Sequence, residues 1–441
     1  MNDRLHRAEE LKQALTDFVL DAEGELAVAL ETFSAEQLSR SQQQDMHQRS
    51  LVVDRFLLEG HVGETTPIQL FLAERPDLTE LDRQLLHNWL QGFVGLFEIR
   101  QILPDGFELM NWTTAKHYIT KPTNANAYAA MARLKVGEII LTQIAPVDAT
   151  TWMFFSPWTS LGKLGKPKLA VAIGNFKQNY KRHLYSDAPE LLELAWQSVA
   201  QYHHNFINFF GSDEVTLSGY QLGKKLAELQ AQMTQAQLDA AGIDGSKSLA
   251  ELATEAGTST EELAEAAEVM GIDTKTAAQL LEQKGTLQMA PTQVELPPQL
   301  KNAEQVTALS HPRWGQLFLP NYTRLTMLLK QAEAIAPDTE KLIKQHLDNP
   351  EMNYFVWQRL ATQYPEQLEA VLQNTLARPN FQLQSDLDGL MTAYGKPTEP
   401  ELPETASVPL HLHNLFQDAL LEVKKEKPKS KAKPKVGFGA R

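Results

Sequence analysis

The chain has 441 residues, 43 % of them hydrophobic, no cysteine and a formal net charge of −14. That is enough apolar matter for ordered cores over two to four domains. It excludes disulfides, thiolate nucleophiles, cysteine-ligated zinc and iron–sulfur clusters.

Charge is spread unevenly. Residues 424–441 hold seven lysines, Arg441 and one acid, Glu426, for a charge of +7. Residues 1–423 therefore carry −21. An acidic body disfavours broad contact with nucleic acid or anionic lipid, whereas the tail favours either locally. No apolar run approaches the roughly 20 residues that span a bilayer. The start, MNDRLHRAEELKQAL, has no signal-peptide core. A cytoplasmic location is expected, with peripheral membrane contact left open.

Residues 1–92 read as helices, with Leu11, Leu15, Phe18 and Val19 at helical spacing and Thr66-Pro67 opening a short helix. Residues 93–157 change period. Phe97 and Ile99 alternate with Glu98 and Arg100, Pro104-Asp105-Gly106 signals a turn, and about five short strands follow to Ser156. They predict a small antiparallel barrel or coiled sheet. Residues 158–235 return to helix, one helix opening at Ser186–Glu190. Residues 236–290 form an acidic, alanine-rich helical mini-domain, with a capping box at Thr258–Glu261. Residues 291–303, with Pro291, Pro297 and Pro298, read as a linker. Residues 304–395 read as a proline-punctuated helical array, and 396–409 as an extended proline-rich linker. Residues 410–423 form a short amphipathic helix, and 424–441 a disordered basic tail. The fold class expected is α+β, predominantly helical.

No GxSxG, HExxH, Walker A or dinucleotide fingerprint occurs. Gly162-Lys163-Leu164-Gly165-Lys166 resembles a phosphate loop but lacks its spacing and its Ser/Thr, so a plain loop is the better account. His203-His204 sit on a helix about 100° apart, which suits surface or structural roles more than one metal. His411 and His413 could share a face only if extended. Neither catalytic residues, nor a cofactor, nor a metal is expected. Leu249–Gly271 has helix-turn-helix spacing, but its second helix carries Glu261, Glu262, Glu265 and Glu268 and no base. Sequence-specific DNA reading is disfavoured by those charges.

Two binding elements emerge. The first is the tail, with Lys424, Lys425, Lys427, Lys429, Lys431, Lys433, Lys435, Phe438 and Arg441, suited to RNA, an anionic membrane surface or an acidic protein. The second is a nucleic-acid face on the β module built from Trp112, Lys116, Lys121 and Lys135, weighed against plain core packing of the tryptophans.

The stretch FVGLFEIRQILPDGFELMNWTTAKHYITKP, followed by ARLKVGEIILTQIAPV, resembles the β module of bacterial proteins bearing the SEC-C metal-binding motif. Their cysteine-rich zinc motif is absent here, so zinc binding does not carry over. KLGKPKLAVAIGNFK, LSHPRWGQLFLP and ASVPLHLHNLFQ resemble an uncharacterised cyanobacterial family, which implies an accessory role in the cytoplasm or at the thylakoid. The expectation is a non-catalytic interaction or assembly protein: helical surfaces bind a protein partner and the tail attaches to an acidic surface. An RNA- or ribosome-associated protein is the alternative, and an enzyme with a site between barrel and helices is third.

Overall fold

Capping and burial periodicity set the first helices. Leu5, Ala8, Leu11, Leu15 and Val19 form one buried stripe on α1 (Asp3–Leu20). The helices α2 (Glu25–Ser39) and α3 (Met46–Glu59) follow. Thr66 and Thr79 each close a capping box, starting α4 (Pro67–Glu74) and α5 (Glu80–Trp89). The computed structural model describes residues 3–39, 46–240, 289–330 and 337–426. It divides into two units, Met1–Pro189 with His411 onward, and Glu190–Leu410.

In the first unit the α1–α5 bundle leads into a closed five-stranded barrel: β1 (Phe93–Leu103), β2 (Gly106–Asn111), β3 (His117–Lys121), β4 (Ile139–Pro146) and β5 (Thr151–Phe154). The order around the barrel is β1-β2-β3-β5-β4, closed by pairing of β4 with β1. Four of the pairings are antiparallel, as expected, but β3 and β5 run parallel. The reason is the crossover. Asn124 caps α6 (Ala125–Met131) within the segment expected to be a polar insert, and a helix between strands allows a parallel return. The edge strand β6 (Thr159–Gly162) adds to β4.

Phe93, Phe97, Phe107, Tyr118, Phe154 and their aliphatic neighbours fill the barrel, with Trp152 and Trp158 packed against them. Ala145, Val147, Met153 and Phe155 instead join the core of the helical bundle, and Trp89 meets Phe155 edge-on at 5.4 Å. After α7 (Lys166–Asn179) the chain leaves this unit. It returns as the last helix, whose Leu412, Leu415 and Ala419 are buried and whose His411 ring bonds the Trp112 carbonyl at 2.8 Å.

The second unit begins with α8 (Pro189–Phe210), then β7 (Glu214–Leu217) and α9 (Gly219–Ala240). The array expected to be helical from 304 opens instead on a hairpin, β9 (Val306–His311) and β10 (Gly315–Pro320), preceded by the short β8 (Met289–Ala290). β7, β9 and β10 make a three-stranded sheet absent from the sequence expectation. Val306, Ala308 and Phe318 face the core shared with α8 and α9, whereas Leu309, Leu317 and Leu319 face the core of the later helices. With both faces covered, these strands show no apolar–polar alternation, which is why their period was invisible.

That second core belongs to α10 (Tyr322–Lys330), α11 (Pro337–Asp348), α12 (Tyr354–Gln363), α13 (Pro365–Thr375) and α14 (Leu383–Ala393). Both proline-rich stretches expected to be linkers are packed. Leu296 lies in the α8–α9 core with Val294, Leu300 and Ala303 against it. A Cβ on Gly219 would fall on the Leu300 carbonyl, so only glycine permits this close approach. From 396–409, Ala406 is buried, and β11 (Val408–Pro409) pairs with β8. The final helix, α15 (Leu410–Glu426), runs three residues beyond its expected end. The acidic mini-domain, apart from its first residues and Met289–Ala290, and the tail beyond Glu426 lie outside the described residues.

Lys396 in that second stretch is only 4 % exposed, and its ammonium has the Asn349 carbonyl at 2.6 Å. Burial lowers its pKa to about 8, with Asp348 opposing. The folded chain then holds fewer protons than the unfolded one between pH 8 and about 10.5, so stability should rise with pH across that window. The contribution across that window is about 3 kcal/mol. Urea denaturation at pH 7, 8.5 and 10 is expected to show the rise in the parent and a flatter profile in Lys396→Met.

Candidate functional site

The sequence assigns the expected nucleic-acid face to the barrel module. Its strand order, with β3 parallel to β5 and a helix between β3 and β4, is that of barrels that take oligonucleotides or oligosaccharides on the β2–β3 face. Fold alone assigns no function, so the face must be read residue by residue.

On the outward positions of β1, β2 and β3 the basic side chains have partners. Arg100 meets Glu98 at 3.0 Å, His117 meets Glu108 at 2.8 Å, and Lys121 meets Asp105 at 2.6 Å. The outward residues Met110 and Ile119 complete the face, and the strand aromatics Phe97, Phe107 and Tyr118 point into the barrel. Such a face offers neither stacking platforms nor uncommitted cations for phosphates.

The four residues expected to form a nucleic-acid face are not gathered there. Trp112 is half-buried in the β2–β3 connection, beneath α15. Lys116, in the same connection, donates to the Asp187 carbonyl at 2.7 Å. Lys121 lies at the far end of β3, about 15 Å along the strand from Lys116. Lys135 is exposed between α6 and β4. Of the predicted tail residues, Lys424 and Lys425 fall in the last turn of α15, while Lys427, Lys429, Lys431, Lys433, Lys435, Phe438 and Arg441 lie outside the described residues.

Three polar clusters brace the units from within. In the first unit a single Asp187 oxygen accepts from Asn111 (3.0 Å), Thr114 (2.8 Å) and the Tyr118 hydroxyl (2.6 Å), tying the chain after α7 to the β2–β3 turn. Glu59, on α3, takes Arg55 at 2.8 Å, the Gln143 amide at 3.1 Å and His183 at 3.2 Å. Burial alone would raise the Glu59 pKa, but His183 and Arg55 reverse this and hold it below the usual range. In the second unit Arg359 forks onto Asp213 at 2.6 and 3.2 Å and reaches Glu214 at 3.0 Å. His203 shares a hydrogen bond with Ser310 at 3.1 Å, but Ser310 is buried in β9 and Asp213 is committed to Arg359. The three residues therefore lack the exposed nucleophile that a triad needs. His204, the other half of the predicted pair, is exposed. Burial lowers the pKa of both His411 and His413. Among the described residues no group of three or more His, Asp or Glu is placed to hold a metal ion.

A different surface stands out at the α6 end of the barrel. The first unit contains 27 Lys/Arg and 26 Asp/Glu, the second 14 and 29. Within the first unit the positive charge concentrates in residues 112–189, with ten basic and three acidic residues. Arg133, Lys135 and Lys163 are exposed and make no ion pair with any described residue. Lys163 lies beside Gly137, whose amide bonds the Ile99 carbonyl, so β1, the α6–β4 connection and β6 share this rim. Ile102, Tyr128, Val136 and Leu161 are the exposed apolar residues of the same end, 39–50 % accessible. The Tyr128 hydroxyl donates to the Pro104 carbonyl at 2.9 Å, which fixes α6 over the β1–β2 turn. Glu138 is the acid of this stretch and is half-buried. Sequence reading noted Lys135 and Lys163 but not Arg133 or the aliphatic residues. The Tyr128–Pro104 and Gly137–Ile99 bonds that bring this end together join residues far apart in sequence, which no local period records.

No protein-family model, curated protein or solved structure matches this chain.

Proposed function

We propose that the protein is a non-catalytic interaction protein whose first unit docks an acidic, apolar-faced protein segment on the α6 rim of the barrel. The supporting observation is the rim itself: Arg133, Lys135 and Lys163 without acidic partners among the described residues, around Ile102, Tyr128, Val136 and Leu161. Elsewhere on the barrel Arg100 and Lys121 are neutralised by carboxylates, and His117 is bonded to Glu108. Exposed apolar residues accompanied by cations suit a protein interface, since the apolar residues supply burial and the charges select and steer. The basic tail follows α15, which belongs to the same unit, and adds a salt-sensitive attachment to acidic surfaces.

The test compares full-length protein with Arg133→Glu/Lys135→Glu/Lys163→Glu and with a chain ending at Glu426. All three rim residues are exposed, so the fold should persist. The rim variant is expected to bind the co-purifying partner about 30- to 100-fold more weakly in a salt-dependent manner. An affinity unchanged by rim reversal would refute the assignment. RNA association is a second reading, favoured by the barrel's strand order; it requires RNA binding by the purified chain that falls steeply with salt.

A further inference from the structure

The last helix of the first unit carries an apolar stripe that outruns its cover. On α15, Leu412, Leu415 and Ala419 are buried. Phe416, Leu420 and Val423 follow beside them at i, i+4 and i+7, the spacing of one helix flank. Phe416 is half-buried, but Leu420 is 55 % and Val423 41 % exposed. The flank therefore emerges into solvent over about the last two turns of the helix. The nearby acids stand on another side. Asp418 and Glu422 lie more than about 120° around the helix from the centre of that flank. Lys166 holds Asp418 at 2.7 Å, which fixes α15 to the start of α7.

Where this flank emerges the sequence turns basic. Lys424 and Lys425 fall in the last turn, and the 15 residues 427–441 add five lysines and Arg441 with no acid. Such a length spans at most about 50 Å, so the whole charge of the tail is delivered beside Leu420 and Val423. The two features together select one kind of surface. Single-stranded nucleic acid would accept the charge, but it is gripped by aromatic stacking and has no use for two exposed aliphatic residues. A folded protein groove needs anchor side chains, and the tail lysines alternate with Pro428, Ser430, Ala432 and Pro434, which supply none. An anionic bilayer uses both features. Its interface takes up aliphatic side chains, and its surface potential draws lysines by number instead of by pattern.

We infer that the end of α15 and the basic tail attach this protein to an anionic lipid bilayer, with Leu420 and Val423 entering the interface and the lysines lying over the headgroups. Neither signal suffices alone, since durable attachment at a membrane surface takes two. The inference rests on the tail attachment proposed above and names its surface; the α6 rim has no part in it.

The experiment floats full-length protein with vesicles of phosphatidylcholine alone and of phosphatidylcholine mixed with phosphatidylserine, at low and high salt. Binding is expected with the mixed vesicles only, and it should weaken as salt rises. A chain ending at Glu426 should bind at least about a hundredfold more weakly. Leu420→Ser/Val423→Ser keeps every lysine and should weaken binding about tenfold. Both residues are exposed, so the fold should persist in that variant. Arg133→Glu/Lys135→Glu/Lys163→Glu should bind the vesicles within about threefold of the parent, so lipid binding and partner binding are scored separately. Absence of flotation, equal flotation with phosphatidylcholine alone, or parental affinity in either the truncated chain or Leu420→Ser/Val423→Ser would each overturn the inference while leaving the rim assignment standing. Salt-sensitive RNA binding that is unchanged by Leu420→Ser/Val423→Ser, without flotation, would give the tail to nucleic acid instead.

Discussion

Replacing Arg359 by leucine is expected to lower the stability of the second unit by about 3 kcal/mol, the largest effect of any single polar substitution in that unit. Arg359 stands on α12 and bonds both Asp213 and Glu214, at 2.6 and 3.0 Å. These acids lie at the start of β7, so the fork fastens that strand to the helical array. Removing it leaves two half-buried carboxylates side by side without that counter-charge. Hydrogen bonding to Arg359 lowers the Asp213 pKa, so in Arg359→Leu this pKa should rise and acid should destabilise the variant less steeply than the parent. Thermal and urea unfolding provide the magnitude. The triple change Arg359→Leu/Asp213→Asn/Glu214→Gln should recover at least half of the loss, because it removes the unpaired charges. Absence of recovery would show that the stem of Arg359 contributes by packing instead of charge.

Asp82→Ala should cost the first unit about 2–3 kcal/mol through two losses that coincide in one side chain. Asp82 closes the capping box of α5, accepting from the Thr79 amide at 3.0 Å. It also takes both arms of Arg7, at 2.7 and 2.9 Å, pinning α1 to α5. Loss of such a cap is worth about 1 kcal/mol, and a bidentate pair whose arginine is partly exposed contributes 1–2 more. Arg7 first, then the Thr79 bonds, depress the Asp82 pKa to about 2 against the effect of burial. A carboxylate depressed in the folded state stabilises fully above its unfolded pKa near 4, and that stability disappears as pH falls towards 2. The parent should therefore lose about 2 kcal/mol through this group over that interval, and Asp82→Ala should lose correspondingly less. Asp82→Asn separates the two roles: it retains a capping acceptor but lacks the charge that Arg7 requires. If Asp82→Asn matched the parent at pH 7, the ion pair would contribute nothing.

Long elements with one face in water are legible in the chain. The stripe Leu5, Ala8, Leu11, Leu15 and Val19 marks α1, Phe97 and Ile99 mark β1, and Asp105-Gly106 marks the first hairpin. Leu412, Leu415 and Ala419 do the same for α15. The predominantly helical α+β class, with its small barrel, follows from these local periods, and so does the excess of acid in the body. What local periods cannot carry is burial on two sides. VTALSH and GQLFLP are strands because helices cover both their faces, and the prolines of 291–303 and 396–409 sit in ordered, packed chain because Gly219 and Lys396 meet specific carbonyls. The parallel β3–β5 pair likewise depends on where α6 returns the chain. Pairing of charge is decided at the same level. Lys121 and Lys135 are equivalent as letters, yet Asp105 neutralises one and no described residue neutralises the other. The chain by itself determined how many charges this protein carries and where its one-sided apolar stripes lie. Only the tertiary structure decided which of those charges remain available, because a counter-charge far away in sequence becomes a neighbour only on folding.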